Sequence, residues 1–145
     1  PKAGVWPADR PCRARARSVS AEMHAGFGAL RSHCPMNIEA SLPEVGQRVW
    51  AEQPTVRANL ARVEALWADA LAAHGGPFLF GDFCAADAFY APVCMRLSCY
   101  ALPVSAASRA YMARVAAAPG VQAWIADAVA EQDFLDFEEP YRQHR

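Results

Sequence analysis

No stretch of this sequence holds the roughly 18–20 consecutive apolar residues needed to cross a bilayer, and its start lacks the charged-then-apolar order of a secretion signal. A membrane partner is therefore not expected. An excess of charge of one sign is also missing. The net charge is −1 and charged residues are 20% of the chain, which argues against disorder and against nucleic acid as a ligand. No segment alternates apolar and polar residues long enough to propose a strand. There is no Cys-x-x-Cys and no paired metal-ligand spacing: Cys12, Cys34, Cys84, Cys94 and Cys99 form an odd set, each inside an apolar stretch. They read as reduced, buried thiols of a cytoplasmic protein, with no metal site. Internal repeats and low-complexity segments are absent as well.

What remains is a chain of 145 residues, 54% hydrophobic, the size of one domain that buries about 68–70% of its unfolded surface. Its opening, Pro1-Lys2-Ala3-Gly4-Val5-Trp6-Pro7, is rich in Pro and Gly, as interdomain linkers are. Residues 1–8 read as a linker remnant of a chain entered partway through, 9–133 as a helical domain and 134–145 as a tail. Charge is uneven: residues 1–50 carry seven Lys/Arg and four Asp/Glu, residues 127–145 six Asp/Glu and two Arg. A solvated tail is the simpler reading of that asymmetry.

Helical periods fill the rest. A first helix is expected from an Asp9 N-cap to about Ser32, its apolar stripe drawn by Cys12, Ala16, Val19, Met23, Phe27, Leu30 and Cys34. Beside it runs a positive stripe of Arg10, Arg13, Arg17, His24 and Arg31, and Gly26 and Gly28 suggest a close backbone approach. After Pro35 a connection holds a short helical turn, where Ser41 and Glu44 have capping-box spacing. A second main helix follows Pro54, buried through Val56, Leu60, Val63, Trp67 and Leu71 and stopped by Gly75-Gly76. A third, Ala85 to about Tyr100, is apolar on nearly every side and belongs at the centre, kinked by Pro92. A fourth is capped by Ser105. A fifth follows Pro119-Gly120 and buries Val121, Trp124, Ile125, Ala128 and Val129. The predicted class is all-α, with five main helices.

The segment Phe78-Leu79-Phe80-Gly81-Asp82-Phe83-Cys84-Ala85-Ala86-Asp87 resembles the entry to the central helix in C-terminal domains of glutathione transferases. There a G-D-x-(Ser/Thr)-x-A-D pattern caps the helix, the hydroxyl accepting from the amide three residues on and the Asp reaching back. Gly81, Asp82, Ala86 and Asp87 match. Cys84 replaces the hydroxyl with a weak acceptor, and Ala88 shortens the hydrophobic staple, so a slightly frayed start is expected. Trp6-Pro7-Ala8-Asp9 followed by the arginine-rich helix resembles the family's linker and first C-terminal helix, and Ala118-Pro119-Gly120-Val121-Gln122-Ala123-Trp124 its Pro-then-Trp helix start.

The resemblance implies a fold, a glutathione transferase C-terminal-like bundle with a buried central helix, and a function. This would be the electrophile-binding, dimerising half of a cytoplasmic enzyme that conjugates or transforms small electrophiles with glutathione as co-substrate. The thiolate-stabilising residue would lie in an N-terminal thioredoxin-like domain, so no catalytic residue is expected here and the fragment alone should be inactive. Position in the family's cleft implies substrate contacts for Met23, His24, Phe27 and Arg31. Core packing competes at Met23 and Phe27, and a surface role at His24. Arg10, Arg13 and Arg17 are either part of a homodimer interface or a solvated face. Cys84 and Asp87 are expected to be structural caps. A non-catalytic interaction module on the same fold is the alternative.

Overall fold

A computed structural model describes residues 4–142. Among them are seven helices and no strand. These are α1 (Arg10–Ala25), α2 (Gly28–His33), α3 (Pro43–Glu52), α4 (Pro54–His74), α5 (Ala85–Cys99), α6 (Ala106–Ala117) and α7 (Pro119–Glu131). The all-α class expected from the sequence is correct. The count of five main helices is not, because one expected helix breaks in two and one expected turn grows into a helix.

The break falls at Gly26-Phe27. Asp9 caps α1 as expected, its carboxylate accepting from the Cys12 N–H at 2.9 Å. Helix α1 then stops at Ala25, Gly26 is extended, and Phe27 adopts the left-handed conformation with φ 57. That conformation is costly for a residue with a Cβ. It turns the Phe27 ring into the core, where the residue is buried, and α2 restarts on a new line. Since α2 lacks a cap of its own, Asn59 of α4 accepts from the Leu30 N–H at 3.2 Å.

The second correction concerns Met36–Gln53. Ser41 does not cap; Leu42 precedes a ten-residue helix, α3, which starts at Pro43 without a side-chain cap. The close backbone approach expected at Gly26 and Gly28 is found at Gly26, where a Cβ would lie 2.7 Å from the Glu22 carbonyl oxygen, but not at Gly28, and a tighter one occurs here. A Cβ on Gly46 would sit 1.7 Å from the Tyr100 carbonyl oxygen, whereas one on Gly28 would meet nothing within 4 Å. The Leu42 N–H donates to the Cys99 carbonyl at 2.7 Å, so α3 is pinned at both points to the end of α5. Helix α4 runs as expected to Gly75, left-handed at φ 75.

Helix α5 occupies the middle, packed by α1 on one side and α6 on the other. Ala86, Asp87, Tyr90, Ala91, Val93, Cys94, Leu97 and Cys99 are buried. Phe89, on a helix expected to be enclosed because it is apolar on nearly every side, is 40% exposed, so one stripe of this helix stays open. Asp87 is wholly buried. Its Oδ2 accepts from the Cys84 N–H at 2.9 Å, its Oδ1 from the Leu79 N–H at 3.1 Å and from the Tyr111 hydroxyl at 3.0 Å. Both halves of the capping box are present, but only the carboxylate half is a regular short bond; the thiol faces the Asp87 amide more loosely. The first turn is closed, the Ala88 N–H reaching the Cys84 carbonyl at 3.2 Å. Phe83, deprived of its staple partner, packs edge-on against Phe78 with centroids 5.3 Å apart.

Around this anchor lie the rings of Trp67, Tyr90 and Tyr111. Trp67 is perpendicular to Tyr90 at 5.6 Å and tilted on Tyr111 at 4.8 Å. The Tyr90 hydroxyl donates to the Val19 carbonyl of α1 at 3.2 Å. Helix α6 is capped by Ser105, whose Oγ accepts from the Ser108 N–H at 3.2 Å. Helix α7 packs on α6 but buries only Val121; Trp124 and Ile125 are half covered and Val129 is exposed. Its expected buried face is thus largely open among the described residues.

The tail folds back. Asn37 donates to both Glu139 carboxylate oxygens at 2.5 and 2.7 Å, and the Tyr141 hydroxyl donates to the His33 carbonyl at 2.9 Å. The Tyr141 ring meets Tyr100 edge-on at 6.0 Å. The tail therefore lies over the loop between α2 and α3.

Asp87→Ala would leave three buried donors without an acceptor and is expected to cost about 3 kcal/mol or more. Tyr111→Phe, which removes one donor and leaves the carboxylate its two amides, should cost about 1 kcal/mol. Urea denaturation measures both; equal losses would contradict the arrangement. In the same assay Gly46→Ala should destabilise by about 2 kcal/mol or more through overpacking, while Gly28→Ala should be neutral or stabilising.

Candidate functional site

The positions singled out in α1 and α2 do not share one surface. Met23 is half-buried against the core, Phe27 is buried at the helix break, and His24 and Arg31 are exposed. The break separates them: Arg31 sits on α2 and reaches back to donate from Nη1 to the Met23 carbonyl at 3.2 Å. It closes the end of α1, where carbonyls lack intrahelical partners. What faces outward with His24 is a shallow groove of about 470 Å³ lined by Trp6, Arg17, Ser20, Ala21, His24 and Phe89.

Two of its walls were missed by the sequence. Trp6 comes from the segment before α1 and Phe89 from the open stripe of α5. Helical spacing could not mark Trp6, and Phe89 lies on a helix expected to be enclosed. The opening segment is held by the arginines of α1. Arg13 donates from Nη1 to the Pro7 and Ala8 carbonyls at 3.0 and 2.7 Å, and the Arg17 guanidinium lies 5.6 Å from the centre of the Trp6 ring. The Val5 carbonyl accepts from the Ala85 N–H at 2.8 Å. Residues 5–8 thus run from the start of α5 to the start of α1. Arg10 remains exposed, and with Arg13 and Arg17 it borders an open surface hollow of α1.

A carboxylate of α1 outside the groove lining is paired. Glu22 accepts a two-point bond from Arg62 of α4, at 2.7 and 2.9 Å. That hydrogen bond holds the Glu22 carboxyl below its ordinary range against the opposing effect of burial. His24 lies one turn from no acid of its own helix face, and the groove offers a ring nitrogen, a guanidinium and two aromatic rings. Such a set can hold an apolar or anionic molecule. It contains no carboxylate to orient a base and no thiol to attack.

The thiols lie elsewhere and are quiet. Cys34, Cys84, Cys94 and Cys99 are buried and Cys12 is half-buried with its Sγ 3.9 Å from His74 Nδ1, and none is in a disulfide. Burial pushes the Cys34 thiol up to about 12 and the Cys84 thiol up to about 11, and raises Cys12, Cys94 and Cys99 as well. None is drawn toward the thiolate that nucleophilic or metal-binding cysteine needs. Among the described residues no group of three or more His, Cys, Asp or Glu could hold a metal ion. No helix among them is long and apolar enough to cross a membrane.

Comparison with protein-family models and with characterised proteins finds no match to this chain.

The thiol environment gives a direct check. At pH 8 a water-soluble thiol reagent should modify one cysteine quickly, and Cys12→Ser should remove that fast phase, leaving four slow ones. The folded values of Cys34 and Cys84 lie above the ordinary 9.0. Their contribution to stability is therefore complete below about pH 9 and lost as pH rises through the folded values. The urea midpoint should fall above that pH, less steeply in Cys34→Ala. A midpoint flat to pH 10.5 would contradict the assignment.

Proposed function

We propose that this chain is the C-terminal half of a cytoplasmic glutathione transferase-like enzyme: the part that receives the electrophile and forms the homodimer. The observation that carries the reading is the buried Asp87 carboxylate. It sits at the third position of the central helix, caps Cys84 and ties in the preceding loop at Leu79. This is the arrangement the Gly81-Asp82-x-x-x-Ala86-Asp87 resemblance implies. Support comes also from the opening segment, docked across the starts of α1 and α5, which would deliver a preceding domain to the groove beside His24.

In this reading the exposed apolar residues Val5 and Phe89 belong to the face that the glutathione-binding domain covers. His24 and Arg17 border the electrophile's cleft, their positive charge favouring the anionic co-substrate. Met23 and Phe27 pack with the core and do not line this groove, and Arg31 holds the end of α1. Arg10 is the residue of the positive stripe left free to meet a second subunit. No residue of this chain activates the glutathione thiol, and no metal is required. Isomerase or dehalogenase use of glutathione is covered by the same arrangement. The rival, a non-catalytic interaction module, draws on the same exposed Val5 and Phe89, which another protein could cover instead.

The isolated chain should not accelerate conjugation of glutathione to a chlorodinitrobenzene above the uncatalysed rate, since binding without thiolate stabilisation gives little acceleration. The native gene product that contains this chain should be retained on immobilised glutathione and catalyse the reaction. A native product starting at Pro1, or turnover by the chain alone, would overturn the proposal. A gene product with an upstream thioredoxin-like domain but no glutathione retention would favour the interaction module.

A further inference from the structure

A second groove, independent of the family reading, also borders α5. It has a volume of about 400 Å³ and is lined by Phe83, Ala88, Ala91, Pro92, Gly120, Val121 and Trp124. That volume is within the range of small-molecule sites. Its floor is one turn of α5 and its far wall the start of α7, where Gly120 contributes no side chain and leaves the Trp124 ring as the largest surface. Phe83 supplies a second ring from the helix entry. No charged side chain lines it.

The floor carries one polar feature, and it belongs to the backbone. Proline has no N–H, so Pro92 inside α5 cannot make the bond that would close onto the carbonyl of Ala88, four residues back. Ala88 and Pro92 both line the groove, and Ala88 is exposed. The groove therefore combines two aromatic walls, an apolar floor and a backbone carbonyl freed from the helix ladder. A carbonyl removed from water without a donor is unfavourable, which selects against a purely apolar occupant.

We propose that this groove is a binding site for a small planar aromatic molecule bearing one neutral hydrogen-bond donor, a phenol or an aryl amine, with the donor on the Ala88 carbonyl. The rings of Phe83 and Trp124 flank the aromatic plane. An anion has no cation to meet there, and a molecule without a donor leaves the carbonyl unpaired.

The paired probes are 2-naphthol and 2-methoxynaphthalene, which share a ring system and differ in the donor. Titration of the folded chain is followed by amide and indole NMR shifts. Expected are shifts centred on Gly120, Val121 and the Trp124 indole N–H, with 2-naphthol binding about 2- to 10-fold tighter, the net effect of one neutral hydrogen bond. Pro92→Ala restores the missing N–H and closes the ladder, so the variant should fold at least as stably. It should lose the preference for 2-naphthol, the two probes then binding alike. Ala88→Trp, at an exposed position, should block both probes. Equal affinity of the two probes, a preference that survives Pro92→Ala, or shifts centred elsewhere would each overturn the proposal.

Discussion

A single buried carboxylate organises this molecule. Asp87 is enclosed between α5, α6 and the loop that enters α5, and a charge so placed is tolerable only with full hydrogen bonding. It has that in three donors from three parts of the chain: the amide of its own N-cap, the amide of Leu79 eight residues back, and the hydroxyl of Tyr111 on the next helix. Each bond fixes a different relation. One starts the helix, one sets the loop and one sets how α6 lies on α5. Because Tyr111 also packs on Trp67, the same contact carries α4 into register.

From that centre the constraints pass outward through backbone groups. Tyr90 of α5 reaches the Val19 carbonyl of α1, Arg96 reaches the Cys34 carbonyl at 3.0 Å and Tyr100 the Pro35 carbonyl at 3.1 Å. Helix α5 thus uses its polar side chains mainly as fasteners for loops and helix ends, which is where carbonyls lack partners. The close contact of Gly46 with Tyr100 completes the set at the far end. The consequence for function is a rigid middle with chemistry left to the margins. Both grooves lie along the flanks of α5, where its open stripe meets a neighbour that does not cover it.

The two grooves differ in what the chain offers a ligand. Beside His24 there is positive charge and an aromatic ring from the opening segment, suited to an apolar or anionic molecule. Beside Trp124 there is no charge, and polarity comes only from a carbonyl that Pro92 releases. Neither is lined by a cysteine or a carboxylate, and burial holds the Cys34 and Cys84 thiols above the ordinary range.

The residue pattern alone determined the helical class, the borders of α4, α5 and α6 and the Asp87 cap, because period, caps and stops are local properties that neighbouring residues carry among themselves. It did not determine the break at Phe27, whose ring leaves the helical path for a place in the core created by distant helices. Nor did it reveal the ten-residue α3, whose one tight glycine answers to a carbonyl more than fifty positions away. Trp6 and Phe89 became neighbours only when α1 and α5 packed, and the tail found its seat only once the loop before α3 presented Asn37. Those are decisions of tertiary structure: they depend on which surfaces meet, and spacing along a chain does not encode that meeting.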